Sequence, residues 1–318
     1  MLAESAFKSG NLCVVGNLNR DLKTAPMPSG NFLLRDGETS VAGISETIGG
    51  GGANSACAAA AIGAKVAFLG KVGADSLGKI LEQTLRRHGI TTHLAKDKFH
   101  PTGTSINLAY ATGHRHFVSS LPNNRALAFK DLNLSILPRY RHLLRSDVWF
   151  SEPMLFGGNE KLFRAARKAG LTISLDLNWD PEWNCASAKS IRKRKQAVRA
   201  LLPLVDLAHG NASELNEFAD SPDLKTTLKR LEKWGVRGVV LHLGKKGAGY
   251  FQRGKVVTEP PAPVKRHVNV TGTGDVLSVC MMLLHHHSDV PVADKLRLAN
   301  KVVAQFIESK RQFIPSLQ

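Results

Sequence analysis

Val268-Asn269-Val270-Thr271-Gly272-Thr273-Gly274-Asp275 runs directly into Val276-Leu277-Ser278-Val279-Cys280-Met281-Met282-Leu283-Leu284. A β-branched run stops at glycines, a carboxylate follows, and an apolar segment of helical length begins. That order predicts a strand, a tight turn and a helix amino terminus. The first N–H groups of such a helix have no intrahelical acceptor, so with the helix dipole they attract an anion. Asp275 is out of place in a loop that only binds phosphate, because it repels the anion. It fits if the carboxylate takes a proton from a hydroxyl while the amides hold the phosphoryl group that the hydroxyl attacks. Taken alone, Asp275 also suits a first-turn carboxylate that only complements the dipole. The stretch points to phosphoryl transfer to an alcohol in an α/β protein.

The rest of the chain alternates strand and helix patterns. Residues 12–15 read as a buried strand ending at Gly16-Asn17-Leu18-Asn19-Arg20-Asp21. Ligands sit beyond the carboxyl ends of strands in parallel sheets, which suits Asn19 and Asp21. Residues 32–35 and 39–48 read as extended around Asp36-Gly37, and 104–111 and 116–119 as a hairpin around Thr112-Gly113-His114. Both are predicted to build a small β insertion over the site. Gly49-Gly50-Gly51-Gly52-Ala53-Asn54 opens a small-residue helix. Its glycines let backbone approach a ligand, and Asn54 donates and accepts at once, as a polyhydroxylated ligand requires. Further strands are predicted at 65–69, 91–95, 147–150, 171–175, 205–208 and 238–243, with a turn back over 248–252. Helices are predicted at 76–88, 161–169, 187–202, 274–287 and 292–308. Repeated β–α units predict a parallel sheet with helices on both faces.

Composition bounds the function. A hydrophobic content of 43% over 318 residues suffices for a packed core. Cys13, Cys57, Cys185 and Cys280 form no CxxC pair, so neither a disulfide framework nor a zinc site is expected. The first residues lack a secretory pattern and no apolar run reaches membrane-span length, so a cytoplasmic protein with no membrane partner is expected. The net charge of +17, from 43 basic and 26 acidic residues, raises nucleic-acid binding as a function of a different class. The bases are dispersed, however, and the one compact run, Arg192-Lys193-Arg194-Lys195, reads first as a solvated helix face. His285-His286-His287 reads likewise as a solvated helix end rather than a metal site, and Trp179 and Trp183 as sugar-stacking or packing residues.

Gly49 to Asn54 early, Asn211-Ala212-Ser213-Glu214 in the middle and Gly272-Thr273-Gly274-Asp275 late occur in a known order. Over about residues 11–308 the chain resembles the ribokinase-like (PfkB) carbohydrate kinases. The resemblance implies a three-layer α/β/α, Rossmann-like fold of ribokinase type. It implies a single domain, residues 1–318, with a small β-sheet lid from insertions at about 17–48 and 99–125. It further implies ATP-dependent phosphorylation of a sugar hydroxyl, with Mg2+. By the same resemblance Asp275 matches the general base, and Gly272, Thr273 and Gly274 the anion-hole amides. Asn19, Asp21, Gly49, Gly50, Gly51 and Asn54 match sugar contacts, and Glu152 a further acceptor-side carboxylate. Asn211 and Glu214 match a motif that organises Mg2+ and phosphates through water, and the same pair suits a helix N-cap and first-turn acid. His242, Gly244, Gly247 and Asn300 match the nucleotide side.

Several positions depart from the family. Asn269 stands in place of an aspartate that helps hold a monovalent cation, so K+ dependence is left open. Thr273 replaces alanine, Gly51 a frequent lysine, and His242 a threonine. In Asp176-Leu177-Asn178-Trp179-Asp180, Trp179 and Asp180 stand where acid-sugar and fructose kinases carry a nearby arginine, which weakens the case for an anionic sugar. The rivals are a nucleoside kinase of the same fold, disfavoured by an aromatic content of 6%, and a sugar-sensing regulator, disfavoured by the intact Asp275. Lids of this kind can also pair two copies into a homodimer.

Overall fold

In β1 (Asn11–Val15), Leu12 and Val14 join one apolar cluster while Cys13 and Val15 join another. This is the period-two alternation of a strand buried on both faces. The computed structural model describes residues 4–30, 35–266, 272–308 and 313–317. After β1 come β2 (Asn19–Thr24), β3 (Ile44–Gly49), α1 (Gly51–Ala61), β4 (Lys65–Gly73), α2 (Ser76–Arg87) and β5 (Thr91–Asp97). Then follow β6 (Thr104–Ala109), β7 (Arg115–Ser120), the short α3 (Pro122–Arg125), β8 (His142–Arg145), α4 (Asn159–Lys168), β9 (Thr172–Asp176) and α5 (Ala188–Arg199). The last third holds β10 (Leu207–Asn211), α6 (Ala212–Phe218), α7 (Leu224–Lys233), β11 (Gly238–His242), β12 (Ala248–Gln252), β13 (Lys255–Glu259), α8 (Thr273–Leu283) and α9 (Val292–Ile307).

The large sheet has the order β13-β12-β11-β10-β9-β8-β1-β4-β5, and the small one β3-β2-β6-β7. Strands β11 to β5 of the large sheet run parallel, and β12 and β13 add an antiparallel edge. One apolar cluster joins the sheet to α1, α2, α8 and α9, and the other joins it to α4 through α7. Helices on both faces of a mixed sheet make three α/β/α layers, as expected. Among the described residues no helix is long and apolar enough to cross a membrane.

Helix α8 is apolar on nearly every side, with every residue from Val276 to Leu283 buried and Ser278 the one hydroxyl among them. A helix without a polar face must be enclosed, and α8 packs against the sheet, α1 and α9. Each such side chain contributes about 1.5–3 kcal/mol when fully buried, so the position of its first turn is firmly held.

Four expectations need correction. The partner of β3 is β2, built from residues 19–24 that the sequence pattern treats as a loop; Leu22 is the one large apolar side chain there, too few for a visible alternation. Of the proposed extended segments, residues 32–34 lie outside the described residues, and 35–43 carry no strand. The strand expected at 147–150 instead occupies 142–145, in register with β1, because Asp147 adopts the left-handed conformation (φ 56°) and ends it. Within the basic run, Arg194 and Lys195 are buried rather than solvated. Lys195 donates to Glu217 Oε1 at 2.8 Å and Asp220 Oδ1 at 2.7 Å. The strand expected over 268–271 lies outside the described residues.

Under α8 the sheet presents a polar row: His142 on β8, Ser174 on β9, His209 on β10 and His242 on β11. His142 Nε2 meets Ser174 Oγ at 2.8 Å, His242 Nε2 meets Ser278 Oγ at 2.8 Å, and neither ring nitrogen of His209 has a partner. His285 and His286 turn back against His142, with ring centroids 6.2 and 6.1 Å away, so the histidine run is not a wholly solvated helix end. Burial, reinforced by neighbouring histidines, holds His142 and His209 well below the ordinary imidazole range. Burial alone lowers His242 to about 4. Unfolded histidines titrate near 6.5, so their stabilising contribution is full above that pH and is lost as pH falls below it. Thermal denaturation between pH 7.5 and 5 is expected to show a falling Tm on the acid side, and His209→Leu to flatten the slope. A wild-type slope unchanged by that substitution would refute a neutral buried His209.

Candidate active site

The site lies beyond the carboxyl ends of β1, β8, β9 and β10, where the first turns of α1 and α8 meet. Gly272 (φ 90°) caps α8 in the left-handed conformation that glycine tolerates, and Thr273 and Gly274 open the helix. Asp275 sits in the first turn and keeps some accessible surface. Its pKa is pushed up to about 8, first by burial and then by the negative charge of Asp147; Ser55 opposes the shift by donating to its Oδ1 at 3.4 Å. A carboxylate whose pKa lies near neutrality is suited to take a proton from an alcohol.

Helix α1 faces α8 across this point. Asp21 reaches over the glycine loop so closely that a Cβ on Gly49 would lie 1.9 Å from its Oδ1. Any larger residue there would force Asp21 to move. Asn19 donates to Asp21 Oδ1 at 2.7 Å, and burial raises the Asp21 pKa to about 6 against that hydrogen bond. Gly50 caps α1 and Gly51 begins it. The Asn54 side-chain oxygen is buried and accepts no hydrogen bond, so it is poised for a donor such as a hydroxyl. Asn19 and Asp21 thus lie against Gly50 and Gly49, and Asn54 N–H donates to Gly50 O at 2.9 Å.

Glu152 does not join them. Its side chain is 74% exposed and lies 3.9 Å from Arg194, beside a cavity of about 380 Å³ lined also by Arg125, Phe150 and Glu182. Because β8 ends earlier than expected, the carboxylate that leaves it toward the glycine loop is Asp147. Asp147 Oδ2 accepts from Asn17 N–H at 2.9 Å and Gly52 N–H at 2.8 Å, and Oδ1 from Gly51 N–H at 3.2 Å. Asp147 and Ser55 carry no motif and were missed from sequence. Locating β8 by its pairing with β1 would have found the first, and the neighbourhood of Asn54 the second.

On the other side of Asp275, Asn211 and Glu214 form a reciprocal capping box on α6. Asn211 N–H donates to Glu214 Oε2 at 2.8 Å, and Glu214 N–H to Asn211 Oδ1 at 3.0 Å. Burial raises the Glu214 pKa. Asp176 ends β9 nearby, and burial with the charges of Asp275 and Glu214 raises its pKa well above the usual range. His242 packs beneath the first turn of α8, where a Cβ on Gly274 would meet its Nδ1 at 2.9 Å. Gly244 and Gly247 frame the turn from β11 to β12. Asn300 spends its amide on Pro260 O at 2.7 Å and Glu259 O at 3.2 Å, a tether of α9 to the chain after β13.

Asp180 settles the fate of the missing arginine. It binds Arg194 of α5 bidentately, Oδ2 to Nε at 2.7 Å and Oδ1 to Nη2 at 3.0 Å, with both groups buried. Trp183 packs inward on Trp149, centroids 5.3 Å apart, while Trp179 remains 39% exposed.

Such a mixed sheet, with a smaller sheet beside it and two helix amino termini at its strand ends, is the ribokinase-type α/β fold. Arabidopsis thaliana ribokinase complexed with ribose and ATP matches 94% of this chain and 93% of its own, with TM-score 0.74 and 21% identity. Adenosine kinase from Sinorhizobium meliloti covers 94% of each chain, with TM-score 0.77 and 17% identity. In sequence, fructokinase-2 of Oryza sativa subsp. japonica is 25% identical over 306 residues, 90% of this chain and 88% of that protein. Arabidopsis thaliana ribokinase is 25% identical over 281 residues, 84% and 68% respectively. Residues 9–315 match the model of the pfkB family carbohydrate kinases. The chain belongs to that family, whose members are phosphotransferases with an alcohol acceptor.

Removing Arg194 would leave Asp180 charged and alone in the interior. Arg194→Ala is expected to lower stability by about 3–5 kcal/mol in urea denaturation. A loss below about 1 kcal/mol would mean that the pair is not a structural anchor.

Proposed function

We propose that the protein transfers the γ-phosphoryl group of ATP to a sugar hydroxyl, with Asp275 as general base. The observation that carries this is Asp275 in the first turn of α8, its pKa raised to about 8, beside a glycine loop with an orphaned Asn54 oxygen. Asp275 takes the hydroxyl proton as the sugar oxygen forms its bond to phosphorus and the bond to ADP breaks. The amides at 272–274 meet the charge on the transferring group, which ordered dipoles stabilise without reorganising. Asn19, Asp21, Asn54 and the Gly49-Gly50-Gly51 backbone hold the sugar, and Gly244, Gly247 and His242 border the nucleotide.

The residues present fit Mg2+ that arrives with ATP. Among the described residues no three His, Cys, Asp or Glu side chains are placed to grip an ion directly, whereas Mg2+ keeps waters and phosphate oxygens as ligands. Asn211 and Glu214 would hold it through water, and it would neutralise phosphate charge. An E. coli neighbour, described as a ribokinase II in complex with ATP and Mg2+, supports this at the level of fold (TM-score 0.77, 19% identity). Asn269, relevant to a monovalent cation, lies outside the described residues.

We read the chain as one catalytic domain whose lid is the sheet of β2, β3, β6 and β7. Because Asn19, Asp21 and Gly49 belong to that sheet, sugar binding and exclusion of water are coupled. Ile44, Ile106, Phe117 and Val118 are exposed on the same sheet, which supports pairing of two copies through their lids. Sedimentation equilibrium showing a monomer at micromolar concentration would exclude that pairing.

A coupled ADP-release screen against ribose, fructose, other sugars and nucleosides is expected to identify a sugar acceptor. Asp275→Asn is expected to retain sugar and ATP binding by calorimetry while kcat falls by about 10² to 10⁴. Near wild-type turnover would remove Asp275 from the role. In the free enzyme kcat/KM is expected to fall as pH drops through about 8, because protonation removes the base.

A further inference from the structure

Asp147 is buried, carries a backbone in the left-handed conformation, and directs both oxygens to main-chain donors. Two of those donors, Gly51 and Gly52, are in the first turn of α1, whose N-cap Gly50 offers no side chain. Asp147 thus caps α1 from another part of the chain. Its own N–H is fixed by Asn178 Oδ1 at 3.0 Å. The glycines make room for this: a Cβ on Gly51 would lie 2.8 Å from Oδ1, and one on Gly16 3.1 Å from Oδ2. One turn further along α1 is Ser55, which donates to Asp275. The capped helix therefore connects the two carboxylates mechanically, and the charge of Asp147 acts on Asp275.

We propose that Asp147 is a positioning residue for phosphoryl transfer, a fixed anion that clamps the amino end of α1, holds Ser55 against Asp275 and sets the charge environment of the base. The inference rests on the kinase reading of the same site. Other groups face Asp275 from the elements packed around it: Asp176 at the end of β9, Glu214 on α6 and His242 at the end of β11. Burial raises the proton affinities of Asp176 and Glu214, and it lowers the His242 pKa to about 4. Burial raises the Asp147 pKa too, but three amides and the buried Arg145 cation favour its ionised form. Among the charges acting on Asp275, that of Asp147 ranks ahead of Glu214.

Asp147→Asn keeps the volume and removes the charge, although its NH2 group cannot accept from the amides that one carboxylate oxygen served. Its expected effect is to move the Asp275 titration, and with it the acid limb of kcat/KM, down by about one pH unit. Ser55→Ala is expected to move the titration up, because the ionised carboxylate loses a donor. The titration is read directly by NMR of protein labelled with carboxyl-13C aspartate, the Asp275 signal being the one absent from Asp275→Asn. This readout needs no acceptor, so it stands even if the screen finds no sugar and the kinase reading fails. A purely structural cap would change Tm or KM and leave the midpoint in place. An unmoved midpoint in folded Asp147→Asn overturns the proposal. Should that variant not fold, an unmoved midpoint in Ser55→Ala overturns it.

Discussion

Two helix amino termini, those of α1 and α8, are pressed together at the carboxyl edge of the sheet, and each faces a carboxylate in that confined space. Everything else in the site follows from this constraint. The close approach requires small residues, which is why α1 opens with glycines and continues with alanines. It also demands that α8 be held from all sides, and the burial of every residue from Val276 to Leu283 does so. An acid placed at such a junction is desolvated, and desolvation with a like-charged neighbour raises its proton affinity toward the range where an alcohol can be deprotonated.

The same geometry works against stability. Asp275, Asp147 and Asp176 all have raised proton affinities in the folded chain, so ionising them favours unfolding as pH rises. The histidines beneath α8 act in the opposite sense, stabilising when neutral and opposing the fold when acid. Together they confine the most stable state of the ligand-free protein to an intermediate pH. Functional sites are where local rules of this kind are commonly broken, and the buried acids here share one locus with the orphaned Asn54 oxygen.

Much of this was legible in the residues. The alternation of apolar strands with helices gave the layered sheet, and the glycines before Asn54 and Asp275 marked both helix termini. The capping pair Asn211 and Glu214 was equally readable, because an N-cap motif is local and its hydrogen bonds span three residues. Polar β2 was not legible, since its strand character comes from pairing with β3 and β6 rather than from its own side chains. The end of β8 was misplaced for a related reason: Val148, Trp149 and Phe150 look like a strand, but a left-handed Asp147 turns them away, and Trp149 Nε1 donates instead to Leu177 O at 2.7 Å.

The chain's order of residues by itself determined the fold class through short-range periodicity and marked the general-base candidate by glycines next to one carboxylate, and the order of three motifs carried the resemblance to the family. Only the tertiary structure decided that Asp147, not Glu152, faces the glycine loop, that Asp180 and Arg194 neutralise each other in the interior, and that a row of neutral histidines underlies α8. Those outcomes depend on contacts between residues far apart in the chain, and on the low polarity created when strands and helices close around them. Neither the contacts nor that polarity exists until the fold has formed.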